Sequence, residues 1–130
     1  MTKICTSLEQ SQKLIELGID VNTADMMWDD WSLIDEGWKL SVGYYPEIEK
    51  DYGRKCYPAW SLTALMELMP KLYDEDFIND GGCQPDLCKG FDNNMWHVVY
   101  RSTMYGTDWY CDPVDAAFDM VCWLLENKKI

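Results

Sequence analysis

Histidine and phenylalanine are scarce in this chain, with one His and three Phe among 130 residues. Bases are also few: 11 Lys and Arg stand against 23 Asp and Glu, for a formal net charge of −12. The deficit is even, with 6 bases to 11 acids in residues 1–65 and 5 to 12 in residues 66–130. No half, tail or short stretch is basic. Neutralising backbone phosphates needs clustered Lys and Arg, so no direct nucleic-acid binding is expected. Binding to an anionic membrane surface is disfavoured for the same reason. No apolar run approaches the roughly 18 residues of a membrane-spanning helix. The opening MTKICTSLEQ lacks the apolar core of a secretory signal. A cytoplasmic protein is therefore expected, with its six cysteines as reduced thiols rather than a disulfide framework. There is no Walker loop, no G-x-G-x-x-G, no internal repeat and no low-complexity segment.

What is present is an ordinary apolar share of 48% and a heavy load of large rings, seven Trp and eight Tyr. A chain of this length makes one domain, residues 1–130, and buries enough surface for a core without staples. Thr6 with Glu9 suggests a capping box opening a helix over about 7–17. Leu8, Leu14, Ile15 and Leu17 form its apolar stripe, and Gly18-Ile19 is placed for a Schellman ending. Asp20–Met27 suggests a further helical turn capped by Asn22 or Thr23. Trp31–Ile34 and Trp38–Val42 are weak candidates for extended segments about a turn at Asp35-Glu36-Gly37. Residues 43–58, with two Gly and two Pro, are expected as loop.

Ser61 caps a helix at about 62–69, which Pro70 stops. Leu72 to Phe91 is expected as a long surface loop or insertion, rich in acids and interrupted by Gly81-Gly82 and Pro85. Met95–Arg101 alternates as a strand covered on both faces, and Thr107–Cys111 is placed to return beside it, making a hairpin at about 95–111. The clearest element is last. Asp112 caps it, Pro113 takes the first position and Asp115 faces the positive end of the dipole. Val114, Ala117, Phe118, Val121, Leu124 and Leu125 then form one stripe, giving a helix at about 113–126. The fold class expected is α+β: a small antiparallel sheet packed by the N-terminal, middle and C-terminal helices.

Three of these stretches carry a resemblance. TSLEQSQKLIELGIDVNTADM (residues 6–26), PAWSLTALMELMP (58–70) and DPVDAAFDMVCWLLEN (112–127) resemble small uncharacterised proteins. Those proteins belong to gut bacteria of the Bacteroides kind and to phages or conjugative elements residing in them. The order of landmarks fits as well. The resemblance implies a context, an accessory protein of a mobile element in the bacterial cytoplasm. It implies no activity for any residue.

No constellation carries a specific chemistry, so no catalytic residue and no cofactor is assigned. Cys83, Cys88, His97 and Cys111 are the candidates for zinc, which prefers four such ligands in two close pairs; only Cys83 and Cys88 are close. The acidic DEDFINDGG at 74–82 fails as a calcium loop because Ile78 and Asn79 fall where a ligand and a glycine are needed. His97 could in principle serve Cys111 or Ser102 as a base across the hairpin, though no nucleophile motif surrounds it. Asp115 and Asp119 lie off the apolar stripe, where solvation accounts for them. The aromatics gather in two places: Trp28, Trp31, Trp38, Tyr44 and Tyr45, then Trp96, Tyr100, Tyr105, Trp109 and Tyr110. They fill a core or, where exposed, form a partner surface, for which Trp31, Trp38, Trp96, Trp109 and Tyr105 are the candidates. Three functions stay open. The first is a non-enzymatic interaction protein binding a protein partner through acidic and aromatic surface. The others are a small-molecule-binding protein or small enzyme with a pocket near the hairpin, and a zinc-stabilised module.

Overall fold

The computed structural model describes residues 3–31, 37–72, 82–100 and 105–130. It is an α+β arrangement with two three-stranded antiparallel sheets rather than one. Helix α1 (Leu8–Glu16) opens with a capping box, but one residue later than expected. Ser7 is the cap and Gln10 its reciprocal partner. Thr6 is instead withdrawn into the core, where its hydroxyl pairs with that of Ser11 at 2.8 Å and accepts the Trp60 N–H at 3.1 Å. The C-terminal end matches the Schellman pattern. Gly18 takes φ +92°, its N–H reaches Ile15 O, and the Ile19 N–H reaches Leu14 O.

Asp20, not Asn22 or Thr23, caps the next turn, a 3₁₀ turn at Val21–Thr23. The chain then extends at once into β1 (Met26–Asp30), which pairs with β2 (Trp38–Val42) in the register Asp30↔Trp38 to Met26↔Val42. The first strand thus lies upstream of the expected Trp31–Ile34, whose residues 32–34 fall outside the described residues. The segment 43–58 is not a loop. It holds α2 (Glu47–Tyr52) and β3 (Cys56–Ala59). Pro46 precedes helix α2 as its cap residue, Glu47 and Glu49 stand in its first turn and Gly53 at φ +67° ends it, so its signals are terminal and its stripe short. Strand β3 pairs with β1 and lies at the sheet's edge in the order β2-β1-β3. An edge position tolerates Pro58, which has no N–H to give.

Helix α3 (Leu62–Glu67) is capped by Ser61, whose own N–H and hydroxyl are held by the Asp25 carboxylate. The expected loop at 72–91 also contains structure. Leu72 bridges Cys83, and β4 (Asp86–Lys89) pairs with β5 (Trp96–Tyr100). Across β5 lies β6 (Tyr105–Gly106), confirming the hairpin at about 95–111. Its register runs Tyr100↔Tyr105 and Val99↔Gly106 but then Trp96↔Tyr110, so the returning strand carries one extra residue between. At this bulge the Thr107 N–H donates to Val98 O, and the Val98 N–H turns to the Thr107 hydroxyl at 3.0 Å.

Helix α4 (Pro113–Glu126) has the expected ends, with Asp112 accepting the Val114 N–H. Its buried face is wider than the expected stripe, adding Ala116, Met120 and Cys122, while Phe118 and Leu125 are only half-buried. The inner residues of β5, Val98 and Tyr100, meet this face together with Leu14 of α1, Trp60, Leu65 of α3 and Leu72. The three helices and the second sheet therefore share one core, and the first sheet joins it through β3 and Trp60.

Candidate functional site

Period-two alternation and strand register decide where each candidate aromatic goes. On β5, Val98 and Tyr100 point inward with Trp96, so Trp96 is half-buried against the core, with Lys89 Nζ 5.7 Å from its ring centre. His97 points to the other face, directly opposite Cys88 in the register. Trp109 stacks on it, ring centres 3.9 Å apart and planes 18° apart, and is itself exposed. Trp38 rests on Tyr57 at 5.6 Å. Tyr105 meets Trp123 of α4 at 4.5 Å. Trp31 stacks on the Arg54 guanidinium at 4.3 Å. Trp31 and Trp38 thus lie at the first sheet, and Trp96, Tyr105 and Trp109 at the second.

The core also takes its share of rings. Trp60 and Tyr100 are wholly buried, with Trp60 Nε1 donating to Thr23 Oγ1 and the Tyr100 hydroxyl to Pro70 O at 2.8 Å.

Tyr105 marks a cleft of about 310 Å³ between the returning hairpin strand and α4. Its walls are Tyr105, Gly106, Thr107 and Asp108 on one side and Asp119, Met120 and Trp123 on the other. Helical spacing puts Asp119 and Trp123 one turn apart on the same face of α4, so a carboxylate sits beside a ring. Asp119 is not merely solvated, since it accepts the Tyr110 hydroxyl at 2.7 Å. That bond, with burial and the nearby Asp108, Asp115 and Asp119 charges, pushes the Tyr110 phenol up to about 12. Asp115 is likewise engaged, by Lys3 Nζ at 2.6 Å and Gln10 Nε2 at 2.8 Å. Among the described residues, neither Asp108 nor Asp119 belongs to an ion pair. The cleft is thus anionic and ring-walled, an arrangement suited to an ammonium or guanidinium group. Trp123 and Asp108 were not singled out from the sequence, which assigned Asp119 to solvent. The i, i+4 pair Asp119/Trp123 was the available signal, and only the fold brings the hairpin against it.

The cysteines are dispersed. Cys5, Cys56, Cys83 and Cys122 are buried, Cys88 is half-buried and Cys111 is exposed. Burial pushes the Cys5 thiol up to about 11 and that of Cys122 to about 12. Among the described residues, no three His, Cys, Asp or Glu side chains gather in a geometry able to hold a metal ion. Ser102 and most of the 74–82 segment fall outside the described residues. None of the described helices is long and apolar enough to cross a membrane.

No protein-family model, curated protein or solved structure matches this chain.

Proposed function

We propose that this is a non-enzymatic accessory protein that binds a basic protein partner through acidic and aromatic surface. Its setting, on the resemblance of its three landmark stretches, is the cytoplasm of a Bacteroides-type gut bacterium carrying a phage or other mobile element. The observation that carries the binding reading is the cleft between the hairpin and α4. There Asp108 and Asp119 stand beside Tyr105 and Trp123, with no cation paired to either acid among the described residues. A Lys or Arg side chain of a partner would place its charge between the carboxylates and its stem against the rings. The net charge of −12 would steer such a partner from a distance and raise its association rate at low salt.

The test is capture from host lysate at low and high salt, with the Asp108→Asn/Asp119→Asn variant in parallel. A partner held at low salt by the native protein and released by the variant supports the proposal. No partner at low salt, or one held equally by the variant, counts against it.

A second reading keeps the same cleft but fills it with a small organic cation, because its volume lies at the lower end of small-molecule sites. Saturable quenching of Trp fluorescence by phenethylamine, lost in the same variant, would favour it over a protein partner.

A further inference from the structure

The first sheet carries a second concavity of opposite character. It is a groove of about 420 Å³ between β1, β2 and the segment leading through α2, with Met27, Ser41, Tyr45 and Ile48 in its lining. Its charged lining is Asp29, Lys39 and Arg54, two cations to one anion in a protein of net charge −12. We propose that this groove binds a small amphipathic monocarboxylate, its head on Arg54 and its apolar body along Met27, Tyr45 and Ile48. This groove shares no lining residue with the acidic cleft.

Arg54 is built for the task. Its Nε donates to Asp29 Oδ1 at 3.2 Å and its Nη2 to Asp29 Oδ2 at 3.1 Å, a two-pronged pairing that sets the plane of the guanidinium. Trp31 lies 4.3 Å and Tyr52 5.3 Å from its central carbon. Asp29 is buried and also accepts Trp31 Nε1 at 3.0 Å, so the ring and the cation share one anchor. Asp29 takes two of the five N–H donors that a guanidinium carries; the other three have no protein partner among the described residues. Donors already oriented by the fold spare a ligand the entropy of ordering them.

The apolar walls decide the class of anion. A phosphate dianion would surrender its hydration to a mostly apolar groove whose Arg54 is already paired with Asp29. A carboxylate loses less and brings an apolar body to bury.

Titration of ¹⁵N-labelled protein tests this, reading the Arg54 Nε–H and Trp31 Nε1–H resonances. The probes are 3-phenylpropionate, its neutral amide and inorganic phosphate. The expected result is saturable shifts of both resonances with the carboxylate alone. Equal shifts with the amide would overturn the role of Arg54. Equal shifts with phosphate would overturn the role of the apolar walls, and no shift with any probe would overturn the site. Arg54→Lys keeps the charge without the fork and should weaken binding about tenfold or more. Because that variant disturbs a buried pair, Ser41→Phe provides a second test by filling the groove from β2. It should lower affinity at least about tenfold while the circular dichroism stays native, and unchanged affinity would overturn the proposal.

Discussion

The Thr6 hydroxyl lies wholly inside the protein, between the Ser11 hydroxyl and the Trp60 backbone N–H. Valine has nearly the same shape but cannot accept, so Thr6→Val leaves a buried N–H and a buried hydroxyl without their partner. A loss of about 1–3 kcal/mol is expected, read as a lower urea midpoint with an unchanged slope. Asp29→Ala should be more damaging, at about 3–5 kcal/mol, because it strands the Arg54 charge where its side chain is 17% exposed. If the two variants proved equally stable, Arg54 would have to be relaxing into solvent. Tyr110 offers a spectroscopic check on the acidic cleft. Asp119→Asn removes the charged acceptor that holds the phenol up at about 12, so tyrosinate absorbance should appear at lower pH in the variant.

Helix α4 shows how a single element combines local and distant support. Asp112 accepts the Val114 N–H as its cap and also the backbone N–H of Lys3 at 2.6 Å. Asp112→Ala therefore loses more than a cap usually contributes, toward the upper end of about 0.5–2 kcal/mol. Leu124→Ala should cost about 2–5 kcal/mol because the site is wholly buried, and Phe118→Ala less, since Phe118 is only half-buried. Thermal unfolding of the pair orders them, and the reverse order would mean that the buried face of α4 is misassigned. This helix was legible because its cap, its Pro and its stripe all act within a turn or two. The capping box of α1 was misplaced by one residue because Thr6-Ser7 offers two hydroxyls in a row, and only the Trp60 backbone draws Thr6 inward. Strands β3 and β4 have four residues each, too few for alternation to show, and they exist because β1 and β5 lie alongside.

At the scale of the whole molecule, burial raises several acids together: Cys5 to about 11, Tyr100 to about 12 and Cys122 to about 12, with Tyr110 raised to about 12 chiefly by Asp119. Unfolded, these thiols and phenols ionise near 9.0 and 10.0, so between about pH 9 and 12 the native state holds more protons than the unfolded one. Stability should thus be unaffected by these groups below pH 9 and should fall as pH rises through that window. Denaturant titrations at a series of pH values would show it, and a flat profile above pH 9 would contradict it. Thiol accessibility follows the same burial. A disulfide reagent should modify Cys111 first and Cys88 more slowly, reaching Cys5, Cys56, Cys83 and Cys122 only on unfolding.

By itself the sequence determined the class of fold, three of the four α-helices among the described residues, the hairpin and the acidic balance, because each rests on neighbours within a few residues or on composition alone. Tertiary structure decided the sites. Asp29 and Arg54 are 25 positions apart, Thr6 and Trp60 are 54 apart, and Lys3 and Asp115 are 112 apart. No local spacing encodes such meetings, which follow from strand register and from which helix covers which sheet. The same holds for the rings. Their number was plain from the start, but only packing sent Trp60 and Tyr100 into the core, set Tyr105 beside an acidic cleft and laid Trp31 on Arg54.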